Sequence, residues 1–194
     1  MQPFTLSAAL TDRTIKILRR IPDAYLHVNV AGHRMQLIRR GSVECEYPVS
    51  TSSFGMGGRE GSRQTPPGIH RIFAKMGAGS PLHAIFRDRI DTGELWTPGT
   101  AGENLVLTRI LRLEGLEEGV NRGPGIDSFD RCIYIHGTNK EDRVGTPLSH
   151  GCVVMKNRDI TELFDRVEEG MLVIIDNGAG KEKPCGRDGH LSGG

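Results

Sequence analysis

AYLHVNVAGHRMQLIRRGSVECEYPV, Ala24 to Val49, is the stretch whose reading decides the fold. Short runs rich in Val, Ile, Leu and Tyr alternate with tight turns at Ala31-Gly32-His33 and Gly41-Ser42. No run is long enough for a helix of ordinary length. The spacing predicts a meander of three strands, AYLHVNV, RMQLIRR and VECEYPV. In the third strand Val43, Cys45, Tyr47 and Val49 stand at every second position, so they are expected on one buried face. Cys45 reads there as a small packed residue.

Downstream, STSSFGMGGREGSRQTPPG (Ser50 to Gly68) is too rich in Gly, Ser and Pro to be regular. It holds no lysine, which excludes a phosphate-binding P-loop. Glu60 stands where the last glycine of a dinucleotide fingerprint would follow Gly55 and Gly57. TPPG reads as a turn feeding the strand IHRIFAKM. Residues 77–130 carry a predicted strand NLVLTRILRLEG and the loop EEGVNRGPGIDSFD. They read equally as a lid or insertion over a site and as ordinary connecting structure. RCIYIHG is a strand with Ile133 and Ile135 on one face and Cys132, Tyr134 and His136 on the other. NRDITELFDRVEEG is a helix with Ile160, Leu163, Phe164 and Val167 on its apolar stripe, Asn157 or Asp159 as cap and Gly170 at its end. MLVIID is a buried strand. Upstream, residues 1–20 are read as an N-terminal extension with a short helix, Leu10, Thr14, Ile15 and Leu18 near one face. Residues 21–176 form the main domain, and residues 177–194 are expected to be a disordered tail.

The chain has 194 residues and a formal net charge of +1, which suits one domain without a large basic field for nucleic acid. Arg19-Arg20 and Arg39-Arg40 read as solvated turn flanks. No apolar run approaches the length of a membrane span. The first residues lack a basic start followed by an apolar core, so the expectation is a cytoplasmic protein. A chain trimmed of its leader would read the same and act in the periplasm. The four cysteines, Cys45, Cys132, Cys152 and Cys185, form no C-x-x-C pair and suggest no disulfide framework.

Chemistry concentrates in TPLSHGCVVM, Thr146 to Met155. A cysteine attacks as the thiolate and needs a base or a cation beside it. His150 lies two residues before Cys152. His136 ends the IYIH strand sixteen residues before Cys152, a distance over which a loop can return. Taken singly, Cys152 and His136 read more readily as packed residues. Taken together, they fit acyl transfer through a thioester, with amides around Gly151 and Cys152 holding an oxyanion. Gly151 and Gly137 are expected to supply backbone freedom. A metal held by His136, His150 and Cys152 would lack a fourth ligand, so no metal or cofactor is expected. His27, His33, His70, His83 and His190 read as structural.

IHGTN followed by SHGC closely resembles the signature of the YkuD-type L,D-transpeptidase catalytic domain family. YPVSTS (Tyr47 to Ser52) resembles the family's YPVSTG, TPPG its TPTG turn, and MKNRDITELFDRVEEGMLVII its closing helix and strand. In order, these segments cover roughly residues 25 to 176. The resemblance implies a mainly β sandwich with a short helix near the C-terminus and the Cys and His at one end. It implies attack by Cys152 on the bond between an L-centre (diaminopimelate or lysine) and terminal D-alanine in peptidoglycan stem tetrapeptides. His136 would be the base, the Gly137 backbone would orient it, and Ser149, His150 and Gly151 would shape the turn and oxyanion site. No cofactor or metal is implied, and the partner is a stem peptide or muropeptide. One position departs. Many members read SHGCIRM, with an arginine where Val154 stands here; that arginine could clamp a carboxylate. Either another arginine (Arg143 or Arg131) replaces it or the substrate differs. With the expected location, this favours an L,D-carboxypeptidase of muropeptide recycling. A 3→3 cross-linking transpeptidase and a non-catalytic stem-peptide binding module are the alternatives.

Overall fold

In the computed structural model, which describes residues 3–100 and 104–178, the meander forms as expected. Strands β1 (Ala24–Asn29), β2 (Arg34–Arg39) and β3 (Ser42–Pro48) pair antiparallel in sequence order. Arg40 and Gly41 make the β2–β3 turn with φ of 51° and 72°, the left-handed pair that matches strand twist. One expectation fails in β3. Leu37 faces Cys45 but its neighbour Ile38 faces Val43, so Glu44 is an extra residue in a bulge. The bulge sends Val43 and Cys45 to opposite faces: Cys45 packs on the main core, Val43 on the layer under the N-terminal helix.

That helix, α1 (Ala8–Leu18), starts on Ser7, whose side chain accepts from the Leu10 amide, and stops at left-handed Arg19. Leu10, Thr14 and Leu18 face inward as expected, but Ile15 is exposed and Ile17 packs in its place. Glu117 ties the helix down. Its carboxylate accepts Arg13 through Nε and Nη2, each at 2.7 Å, and the buried Ile69 amide at 2.6 Å. Glu117→Ala would orphan that amide, so it is expected to cost about 2–3 kcal/mol in a urea melt.

The remaining strands are β4 (Gly68–Met76), β5 (Ala84–Arg87), β6 (Ile90–Leu95), β7 (Val106–Gly115), β8 (Tyr134–Gly137), β9 (Val153–Met155) and β10 (Leu172–Asp176). All belong to one mixed sheet, ordered β3-β2-β1-β10-β4-β7-β5-β6, with β8 on the other edge of β7 and β9 beyond β8. The β1–β10 and β8–β9 pairs are parallel. Ser50, just past β3, exchanges two backbone hydrogen bonds with Val154 of β9, at 2.9 and 2.8 Å. The sheet therefore rolls back on itself, and its inner faces meet as a mainly β sandwich. Leu26, Leu37, Ile72, Leu113, Ile135 and Val173 lie in that interior with no exposed surface. Each such side chain contributes roughly 2 kcal/mol. Residues 77–130 supply β5, β6 and β7, and β7 is the strand on which the sheet branches.

Helix α2 (Asn157–Arg166) buries Ile160, Leu163 and Phe164 in the same core. Its ends are held from outside. Lys156 occupies the N-cap without a side-chain bond, and neither Asn157 nor Asp159 caps. Instead Glu141, in the 3₁₀ turn Glu141–Arg143, accepts the Asn157 amide at 2.5 Å. At the other end Lys75 Nζ donates to the carbonyls of Phe164 and Val167, each at 2.6 Å. Gly170 (φ 87°) lies in the turn after the helix. Among the described residues no helix is long and apolar enough to cross a membrane. The expected tail beyond residue 178, with Cys185 and His190, lies outside the described residues.

Candidate active site

The parallel β8–β9 pair brings the two chemical motifs together. Its register sets His136 beside Val154, so Cys152, two residues earlier, falls abreast of Tyr134. His136 and Cys152 line one cavity of about 190 Å³ with Tyr134, Thr138, Leu148 and Val154. The crossover between the strands is the loop 138–152.

The turn bearing the cysteine is braced on every side. Ser149 Oγ donates to the Cys152 carbonyl at 2.5 Å and accepts the Gly151 amide at 3.2 Å. The amides of Leu148 and Ser149 both donate to the Thr51 carbonyl, and Ser53 N donates back to the Ser149 carbonyl. Thr65, fully buried, accepts the Ser52 amide on its hydroxyl at 3.0 Å. The YPVSTS and TPPG segments thus lock to each other and to the turn. Gly151 has φ 131°, a conformation side chains avoid. Its amide is taken by Ser149, so the Cys152 amide is a candidate donor for an oxyanion at this turn. His150 is exposed, edge-on to Phe54 with ring centroids 5.8 Å apart; it sits on the rim.

Gly137 works differently from expectation. It is not among the described glycines with positive φ. A Cβ there would lie 2.4 Å from Asn157 Oδ1 and 2.7 Å from the Leu107 carbonyl. Close approach, not dihedral freedom, demands glycine. Asn157 is wholly buried, accepting from Thr108 Oγ1 at 2.7 Å and donating to the Thr138 carbonyl at 2.8 Å. Gly137→Ala is expected to lower stability by about 2–3 kcal/mol in a denaturant melt, because both obstacles belong to a closed network.

The Gly137 carbonyl has a further use: it lies 2.7 Å from His136 Nδ1. A carbonyl only accepts, so Nδ1 carries the hydrogen and Nε2 is left with its lone pair. Burial pushes the His136 pKa down to about 4, against a smaller raising effect of the Gly137 carbonyl. The thiol goes the other way. Burial raises Cys152 to about 11, opposed by the Tyr134 amide that donates to Sγ at 3.4 Å. At neutral pH the resting pair is thus thiol and neutral imidazole, not an ion pair.

With this geometry in place, the chain can be set against known proteins. The L,D-transpeptidase catalytic domain (YkuD) matches residues 23–175. The chain belongs to that family. Escherichia coli K12 YbiS, named a probable L,D-transpeptidase, is 30% identical over 110 residues, which cover 51% of this chain and 34% of that protein. Bacillus subtilis YqjB, whose name carries the same activity, is 45% identical over 47 residues, 24% of this chain and 27% of that one. The chain therefore spans about a quarter to a third of these relatives' length. A crystal structure of the Enterococcus faecium L,D-transpeptidase superposes with a TM-score of 0.48 at 20% identity, covering 80% of this chain and 50% of that one.

Within the L,D-transpeptidase family frame, Val154 is buried against His136 and forms an apolar cavity wall. Arg131 is not its stand-in: its guanidinium donates to the carbonyls of Gly57, Gly58 and Gln64 at 3.2, 2.8 and 2.6 Å, pinning the glycine loop. Arg143 is exposed on the crossover loop and does not line the cavity. Sequence reasoning missed Asn157, assigned there to a helix cap, and Tyr134. The alternation in RCIYIHG, which puts Tyr134 on the His136 face, was the available signal for the second.

Proposed function

We propose that this chain is a cysteine acyl-enzyme peptidase that cleaves the L-centre–D-alanine bond of peptidoglycan stem tetrapeptides and passes the acyl group to water. One observation carries the reading: Cys152 shares its cavity with a histidine whose Nδ1 is committed to the Gly137 carbonyl. Sγ attacks the amide carbonyl while its proton passes to His136 Nε2, and the Cys152 amide holds the oxyanion. The tetrahedral adduct collapses, and D-alanine leaves with the proton from His136. Water, deprotonated by the same Nε2, then cleaves the thioester and leaves a new carboxylate on the L-centre. The apolar wall of Val154 and Leu148 in a cavity of about 190 Å³ suits a small leaving amino acid. Without an arginine at 154, nothing there clamps a longer anionic acceptor, which favours hydrolysis over cross-linking.

The test is mass spectrometry of products from a defined tetrapeptide, with and without an amine acceptor. Tripeptide and free D-alanine in both conditions are expected. A cross-linked product dominating with acceptor would replace the hydrolase with a transpeptidase, and unchanged tetrapeptide would leave a binding module.

A further inference from the structure

A second cavity, of about 180 Å³, opens beside the first and shares Tyr134 and Val106 with it. Its polar wall is Asp88 and Arg89, the two residues of the β5–β6 turn. Both have left-handed φ, 49° and 71°, and neither is glycine, although glycine is the residue such turns favour. The turn delivers Arg89 Nη1 to 3.1 Å from the Tyr134 hydroxyl and 3.9 Å from Cys132 Sγ. Only Nη1 is used in these contacts, so Arg89, which lines the cavity, keeps further donors for a ligand.

The position relative to the thiol decides what this cavity can meet. From the turn residue Cys132 into β8, Cys132 and Tyr134 line the second cavity and Tyr134 and His136 the first. Sγ touches the backbone of the middle of this run, the Tyr134 amide at 3.4 Å and the Cys132 carbonyl at 3.6 Å. His136 thus stands on one side of the thiol and Arg89 on the other. His136 must protonate the leaving amine, so the departing D-alanine lies on its side. Arg89 faces the acyl half, the part retained in the thioester.

We infer that the Asp88–Arg89 cavity binds the side chain of the L-centre residue and selects one that ends in an amino acid group, with its carboxylate on Arg89 and its ammonium on Asp88. Among stem peptides this is diaminopimelate rather than lysine. The inference rests on the acyl-enzyme reading above, which sets the direction of the substrate. It also explains how the site holds an anion without an arginine at position 154.

The experiment uses three tetrapeptides that differ only in the third residue: diaminopimelate, its side-chain carboxamide, and lysine. Calorimetric binding to Cys152→Ala is measured first, since it needs no turnover, and D-alanine release by the unmodified protein second. The diaminopimelate peptide is expected to bind at least about 10-fold more tightly than the other two, the ordinary worth of a hydrogen bond to a charged group. Arg89→Gln keeps a donor for Tyr134 but loses the charge. It is expected to bring the diaminopimelate peptide down to the level of the others. Asp88→Asn, which leaves the Tyr134 contact alone, is expected to weaken all three peptides, because lysine presents the same ammonium, while the diaminopimelate peptide keeps its lead over the other two. Equal binding of all three peptides, no binding of any, or an equal loss of all three in Arg89→Gln would overturn the inference. Selective binding without D-alanine release would uphold the cavity and remove the hydrolase; release without selectivity would do the reverse.

Discussion

Cys152→Ala is expected to abolish D-alanine release from a tetrapeptide, by roughly 10³-fold or more, because it removes the proposed nucleophile, the thiol of the cavity. The fold should survive, since the side chain is small and only partly buried. A carbapenem is expected to leave a mass adduct on the unmodified protein and none on this variant. The pH profile adds a sharper check on the pair. The proposed base His136 would act as the neutral imidazole, and burial pushes its pKa down to about 4. The rate should therefore stay level from about pH 7 down to about pH 5 and fall only toward pH 4. An acid limb near the ordinary histidine value of about 6.5 would mean that His136 is not the buried base. On the alkaline side burial holds the thiol up at about 11, so the rate is expected to show no thiolate-dependent rise between about pH 7 and 10.

The second large effect is on stability in acid. Two buried histidines are pushed down to about 4, both chiefly by burial: His136, and His70, which lies between the Gly68 carbonyl and the Ser128 hydroxyl, at 3.1 and 2.9 Å. The unfolded chain takes up these protons near the ordinary value, while the folded chain refuses them until about pH 4. Folding is therefore most favoured above about 6.5, and the contribution is lost as pH falls through the window from 6.5 to 4. Each histidine contributes about 3 kcal/mol at full effect, so together they put about 6 kcal/mol at stake. Urea midpoints between pH 4 and 7 should fall steeply with acid. His70→Gln, whose amide oxygen can accept from the Ser128 hydroxyl in place of Nε2, should remove about half of the slope. A slope unchanged in that variant would assign the acid sensitivity to other groups.

Most of the frame was legible along the chain. The meander, the apolar stripe of α2 and the buried run of β10 follow from periods of two and 3.6, which depend only on which side chains avoid water. So did the opposition of Ile133 and Ile135 to Tyr134 and His136. What escaped were features made by a partner segment. The bulge at Glu44 depends on where β2 pairs with β3, and it moved Val43 off the face that alternation gave it. Ile15 fell outside the packed face because the sheet under α1 meets Leu10 and Thr14 instead. The α2 caps escaped because Glu141 and Lys75 supply them from distant segments.

The same division runs through the site. By itself the sequence singled out the residues proposed to carry the chemistry, Cys152 and His136, and the glycine-marked turns around them, since a nucleophile and a base are matters of residue type. Only the tertiary structure decided how they are used. The parallel register of β8 and β9 sets His136 beside Val154. The carbonyl of Gly137 leaves Nε2 as the basic nitrogen, and Asn157 is the reason residue 137 has no side chain. The β5–β6 turn, remote in sequence, brings Arg89 to Tyr134. Hydrogen-bond direction, burial and close approach belong to pairs of segments, and the pairing exists only once the sheet has closed.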